Sequence, residues 1–198
     1  MSPWIILVVL LVFIAVVVLW AVGVFNRLVS LRNRFKNAYS QIDVQLTRRY
    51  DLIPNLVETT KAYLAHERGT LEAVIAARGA AVAAQTRVGG DPSDGAAVRG
   101  LLSADGALTG ALGRLMMVTE AYPQLKADTT IKALTDELSG TENRIAFARQ
   151  AYNDAVMIYN TEREQVPGNI IAGFGSFTAA TLWELENAAA RVAPVVKF

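Results

Sequence analysis

No cysteine occurs in the chain, so disulfides, iron–sulfur clusters and cysteine zinc sites are excluded. The single histidine, His66, removes most histidine-based metal and triad chemistry. Positive and negative charges nearly cancel at a net +1, so the whole chain has no bias towards nucleic acid. Aromatic residues are scarce at 8%, against 53% hydrophobic residues. Gly and Pro gather in a few places, and alanine is abundant. That suits one helical domain with a core, plus an attachment.

Reactive motifs are missing too. His66-Glu67 begins like a zinc-protease motif, but Thr70 stands where the second histidine belongs. His66 is expected to be an ordinary surface or cap residue. Neither G-x-x-x-x-G-K-[ST] nor G-x-G-x-x-G occurs, and no serine sits in G-x-S-x-G. Gly173-Phe174-Gly175 is too short to cradle a phosphate. Glu58, Glu67, Glu72, Glu120, Glu137 and Glu142 are spread over several helical stretches. A di-iron bundle needs a Glu-x-x-His motif on each of two helices, and neither is present. No catalytic residue, metal or cofactor is expected.

What the chain does have begins at its N-terminus. No charged side chain lies between Ser2 and Asn26. The run is long enough to cross a bilayer, where about 20 apolar residues suffice. Trp4, Trp20 and Phe25 are the expected membrane-spanning aromatics, with the two tryptophans near the ends of the run. Ala21-Val22-Gly23 resembles a signal-peptidase site. A basic leading segment is missing, however, and the apolar run exceeds a usual signal core, so residues 1–25 are expected to be a retained anchor. Arg27, Arg32, Arg34 and Lys36 follow before the first acid, Asp43. The positive-inside rule then puts the short N-terminus outside and the C-terminal domain in the cytoplasm, in single-pass topology. The same basic stripe is placed to meet anionic headgroups.

Helical periodicity dominates residues 26–165. Leu28, Leu31, Phe35, Ala38, Ile42 and Leu46 recur at steps of three or four. The expected helices are about 26–50, 52–85, 96–121 and 128–165. Val88 to Gly95, with three glycines and a proline, is a loop. In the last helix Ile131, Leu138, Ile145, Tyr152 and Tyr159 recur every seven residues, an a/d seam that packs along its length. Pro54 poses the sharpest question. Proline costs about 3 kcal/mol inside a helix and little in its first turn. Asp51 is a good N-cap, so a tight corner near Tyr50–Asp51 is preferred over a kinked continuous helix.

Residues 166–198 are expected to be an apolar, Gly-rich tail near the membrane. Ile170, Ile171, Phe174 and Phe177 are large apolar residues among glycines, suited to a bilayer interface, a neighbouring subunit, or the open end of a bundle. A short amphipathic helix is expected over Ala179 to Val192, with Leu182, Trp183 and Leu185. Gln45, Arg49, Glu142, Arg149 and Asn153 lean towards the seams. They are read first as paired contacts that set helix register, and second as a polar groove for a partner.

RNRFKNAYSQIDVQLTRRYDLIPNLVETTKAYLAHERGTLE, AYPQLKADTTI, GTENRIAFARQAYNDAVMIYNTE and the closing PVVKF together resemble the LemA family, in the family's order. The resemblance implies an all-α fold: one N-terminal membrane helix, then an antiparallel, up-and-down four-helix bundle with no known catalytic residue. It also implies a membrane-organising role rather than a reaction. Val166-Pro167 departs from the family's usual Phe-Pro, and Gly173-Phe174-Gly175-Ser176-Phe177 departs from its usual aromatic or Lys-rich tail. The expected function is a non-enzymatic, membrane-anchored helical scaffold that self-associates as a homo-oligomer on the lipid bilayer. The alternative is a monomeric tethered adaptor that recruits a protein partner, such as a membrane protease or an envelope-stress factor. No nucleic-acid partner is expected.

Overall fold

The computed structural model describes residues 2–64 and 67–184. His66 and Leu185 therefore lie outside the described residues, as does most of the stretch to Val192. Every regular element among the described residues is helical: α1 (Pro3–Lys61), α2 (Arg68–Val88), α3 (Gly95–Ala121), α4 (Pro123–Ala127), α5 (Thr129–Glu164) and α6 (Gly168–Phe174).

Local chemistry sets several of the boundaries. The Asp94 carboxylate accepts from the amides of Ala96 and Ala97 and starts α3. Asp128 does the same for Thr130 and Ile131 at the start of α5. Gly89, at φ 57°, closes α2 in the left-handed conformation that glycine adopts freely.

The expected corner at Asp51 and Pro54 is not there. Helix α1 runs unbroken through both residues to Lys61. Asp51 is an exposed mid-helix residue, not a cap, and the chain turns after Lys61. Pro54 removes the amide that would bond the carbonyl of Tyr50, four residues back. Arg78 of α2 fills that gap, donating from Nε to the Tyr50 oxygen at 2.6 Å. The penalty that favoured a corner is offset by a tertiary bond. Nothing local in the sequence announces that bond.

Helix α1 packs chiefly on α5, while α2 packs chiefly on α3 and more lightly on α1. Leu28, Phe35, Tyr39, Ile42, Leu46 and Ile53 of α1 are buried. They face the seven-residue seam Ile131, Leu138, Ile145, Tyr152 and Tyr159 of α5, whose members are all buried. Phe35 meets Tyr159 at 5.0 Å between ring centroids, and Tyr39 meets Tyr152 at 6.1 Å. Arg48 reaches Glu137 further along. Position rises along α1 as it falls along α5.

Among the described residues two helices are long and apolar enough to cross a membrane, α1 and α3. They differ in burial. The apolar window of α1 is entirely exposed, whereas α3 buries Leu101, Leu108, Leu112 and Leu115 in the core. Helix α3 is a core helix by that measure. The apolar run of α1, from Trp4 to Phe25, is about 33 Å long at 1.5 Å per residue. That matches the hydrocarbon thickness of about 30 Å.

Beyond α6 the chain is not helical. Residues 175–184 run without helix or strand across α1 and α5. The amphipathic helix expected from Ala179 is thus contradicted as far as Glu184. Main-chain groups that a helix would have used internally are taken by side chains of α5.

Candidate functional site

Three features concentrate the polar and exposed apolar residues singled out by sequence. The first is a buried charge cluster. Arg49 is fully buried in α1. Its guanidinium donates to Asp105 of α3 and, at 2.9 Å, to Glu142 of α5. Arg149 of α5 donates to the other oxygen of Asp105. One carboxylate from α3 therefore ties together arginines from α1 and α5. Burial first, and then the neighbouring Arg49 charge, lowers the pKa of Arg149. Two arginines and two carboxylates paired in this way hold α1, α3 and α5 in register, although the Nε groups of Arg49 and Arg149 have no hydrogen-bond partner among the described residues. Arg49, Glu142 and Arg149 were legible as inward polar residues. Asp105 was not, because a lone acid beside Gly106 carries no local sign of the two arginines that meet it. Gln45 stands apart, half-buried on α1, and Asp51 and Pro54 lie outside the cluster on an exposed face.

The second feature is the segment after α6, here called the strap, residues 176–184. Asn160 donates to the carbonyl of Ala180 and accepts from its amide, both at 2.9 Å. Asn153 repeats the pattern on Trp183, at 3.2 and 2.7 Å. The Tyr159 hydroxyl donates to the Thr178 carbonyl, and the Tyr152 hydroxyl to the Thr181 carbonyl, each at 2.8 Å. Phe177, Ala180 and Trp183 are buried, three residues apart. The Trp183 ring packs edge-on to Tyr152 and lies under the Arg149 guanidinium at 5.4 Å. The polar groove expected beside Arg149 and Asn153 is thus occupied by the chain's own strap. Sequence reasoning found Asn153 and missed Asn160. The available signal was the dipeptide Tyr-Asn, repeated seven residues apart at 152 and 159.

The third feature sits beside the apolar run. Ile171, Phe174 and Gly175 join Val18, Ala21, Val22 and Phe25 around an apolar groove of about 400 Å³. Helix α6 therefore lies alongside the last two turns of the exposed run. Ala172 and Gly168 face inward, while Ile170 and Phe174 are 56% and 88% exposed. A Cβ on Gly168 would overlap the backbone oxygen of Glu162, so only glycine permits α6 to fold back so tightly. Phe177 is not exposed with Ile170 and Phe174. It meets the edge of Phe25 at 5.3 Å, and Arg32 lies over its ring at 5.0 Å. Of the basic stripe, Arg27 pairs with Glu162 at 2.9 Å and Lys36 with Asp91 at 3.0 Å, while Arg34 is exposed. Trp4 and Trp20 are exposed at the two ends of the run.

Comparison with known proteins gives these features a setting. Magnetosome proteins MamQ 2 and MamQ 1 of Paramagnetospirillum magneticum are each 31% identical over 175 residues, covering 81% of this chain and 64% of theirs. Magnetosome protein MamQ of Magnetospirillum gryphiswaldense is 30% identical over 168 residues, covering 77% of this chain and 62% of its own length. The chain thus spans less than two thirds of the length of the curated relatives it matches. The LemA family profile matches residues 38–198, which takes in α5, α6 and the strap. This chain belongs to the LemA family.

Proposed function

We propose that the protein is a non-enzymatic, membrane-anchored helical scaffold that self-associates and organises the membrane or the proteins within it. The carrying observation is α1. One continuous helix is apolar from Trp4 to Phe25 and exposed over nearly all of that run, then buried on its packing face from Leu28 onwards. A bundle built on such a helix is coupled to the bilayer with no linker between them. On this reading the soluble part is an antiparallel four-helix bundle. Its supports are the α1–α5 pairs Phe35–Tyr159 and Tyr39–Tyr152 and the packing of α2 on α3.

Helix α6 is the second membrane contact. Ile170 and Phe174, beside residues 18–25, enter the headgroup boundary of the leaflet nearest the bundle. The basic residues Arg27, Arg32, Arg34 and Lys36 favour that side as the cytoplasmic one, with the short N-terminus outside. The relatives' names assign them to the magnetosome, which accords with work at a membrane.

Anchoring confines copies to a plane, so weak lateral contacts suffice for assembly. Removing residues 1–25 is expected to leave a folded bundle and to weaken assembly sharply, read as mass by light scattering. A truncated protein that assembles as well as the intact one contradicts the proposal. The adaptor reading is less favoured, because its groove beside Arg149 and Asn153 is filled by the strap.

A further inference from the structure

The strap is bound in the way that proteins bind peptides. Asn153 and Asn160 each hold both the amide and the carbonyl of one strap residue, and the two tyrosines hold carbonyls between them. Those bonds read the main chain, while the side chains of Phe177, Ala180 and Trp183 are buried. The spacing is matched. Two turns of α5 separate the asparagines, about 10.5 Å at helical rise. Three residues separate Ala180 from Trp183, which at the rise of an extended chain of about 3.1 Å per residue span about 9.3 Å. The face of α1, α5 and the start of α3 that the strap covers is thus fitted to a segment with a side chain to bury at every third position.

We propose that the groove takes the strap of a second copy, so that neighbouring protomers are linked by exchange of residues 176–184. This deepens the scaffold reading and rests on it. An exchanged strap would make every bond that it makes in its own chain, since both copies carry the same groove and the same ligand. Only the hinge changes. Gly175 packs so closely on the Phe177 ring that an added Cβ would lie 2.5 Å from it, and Ser176 holds a φ of 52°. A left-handed conformation is disfavoured for a residue other than glycine. Extending Ser176 relieves that conformation and directs the strap away from its own bundle. Anchorage of both copies by α1 keeps a neighbouring groove within reach.

The fold supplies its own test. A Cβ built on Gly95 lies 3.6 Å from the Cβ of Thr181 in the strap, within the range of about 3.5–4.5 Å found in disulfides. The chain has no native cysteine to interfere. Full-length Gly95→Cys and Thr181→Cys proteins are reconstituted together in phosphatidylethanolamine–phosphatidylglycerol vesicles and oxidised. Pairing with an exposed control, Met157→Cys, sets the background of random collision. Exchange is expected to give a disulfide-linked dimer well above that background. The doubly substituted chain, oxidised while dilute in detergent and then reconstituted, is expected to lock its strap at home and lose assembly, regaining it on reduction. The inference is overturned if copies assemble but the two introduced cysteines bond only within the doubly substituted chain, and locking changes nothing. The scaffold reading survives that outcome. If the unmodified protein does not assemble at all, the scaffold reading fails and takes the inference with it.

Discussion

The carbonyl of Tyr50, deprived of its helical donor by Pro54, receives the Nε–H of Arg78 at 2.6 Å. A charged donor from α2 therefore repairs the one gap in the hydrogen-bond ladder of α1. Arg78→Ala is expected to cost about 2 kcal/mol, because a part-buried acceptor loses a charged partner. Pro54→Ala restores the helical amide, so the same Arg78→Ala change should cost much less in that background. A double-mutant cycle in urea measures this coupling. Equal costs in the two backgrounds would show that Arg78 acts in some other way.

Asp105 is the hinge pin of the buried charges. Asp105→Ala leaves fully buried Arg49 with only Glu142, which is part-exposed, and is expected to cost about 3–5 kcal/mol. Replacing the pair together, as Arg49→Met with Asp105→Leu, should recover most of that loss. If the double variant unfolds as readily as Asp105→Ala, the cluster contributes more than register.

Two tyrosines separate strap binding from simple packing. The Tyr152 hydroxyl donates to Thr181, whereas the buried Tyr39 hydroxyl has no hydrogen-bond partner among the described residues. Tyr152→Phe is expected to cost about 1 kcal/mol, and Tyr39→Phe close to none. Burial raises the pKa of both above the ordinary tyrosine value of 10. A raised pKa favours the neutral form in the fold. The stability tied to it is therefore complete below about pH 10 and is lost as pH rises above that. Chemical denaturation from pH 8 to 11 should show this decline, and Tyr152→Phe should flatten it.

Much of this architecture can be read from the residues, and the misreadings share a cause. The seam of α5 is plain, because Ile131 to Tyr159 repeat every seven residues and all five are buried. The apolar run is plain for the same reason of composition. Pro54 misleads because its penalty is local, while its remedy, Arg78, stands 28 positions away from Tyr50. Asp105 misleads because a lone acid beside glycine looks like a helix weakness until two arginines are brought to it. Trp183 and Leu182 suggest an amphipathic helix. The Tyr-Asn repeat on α5 instead captures the main chain of the segment in extended form. In each case a tertiary hydrogen bond outweighs a local preference.

Helix α6 offers a direct check on depth in the bilayer. Phe174 is 88% exposed and lies beside residues 18–25 of the apolar run. A Phe174→Trp substitution, with Trp4 and Trp20 changed to Phe, is expected to be quenched by lipids brominated near the headgroup. Trp183, buried under Arg149, should not be quenched. Quenching of neither would place α6 in water and remove the second membrane contact. Ile170→Asp with Phe174→Asp should abolish any such contact without unfolding α5.

An anchored scaffold is tested most directly by the mass and shape of the intact protein. The full chain would be extracted gently, with its surrounding lipid, and measured by light scattering and electron microscopy. Regular assemblies many times the 21.4 kDa of one chain are expected. A single bundle of monomer mass, at every protein density in the membrane, would contradict it.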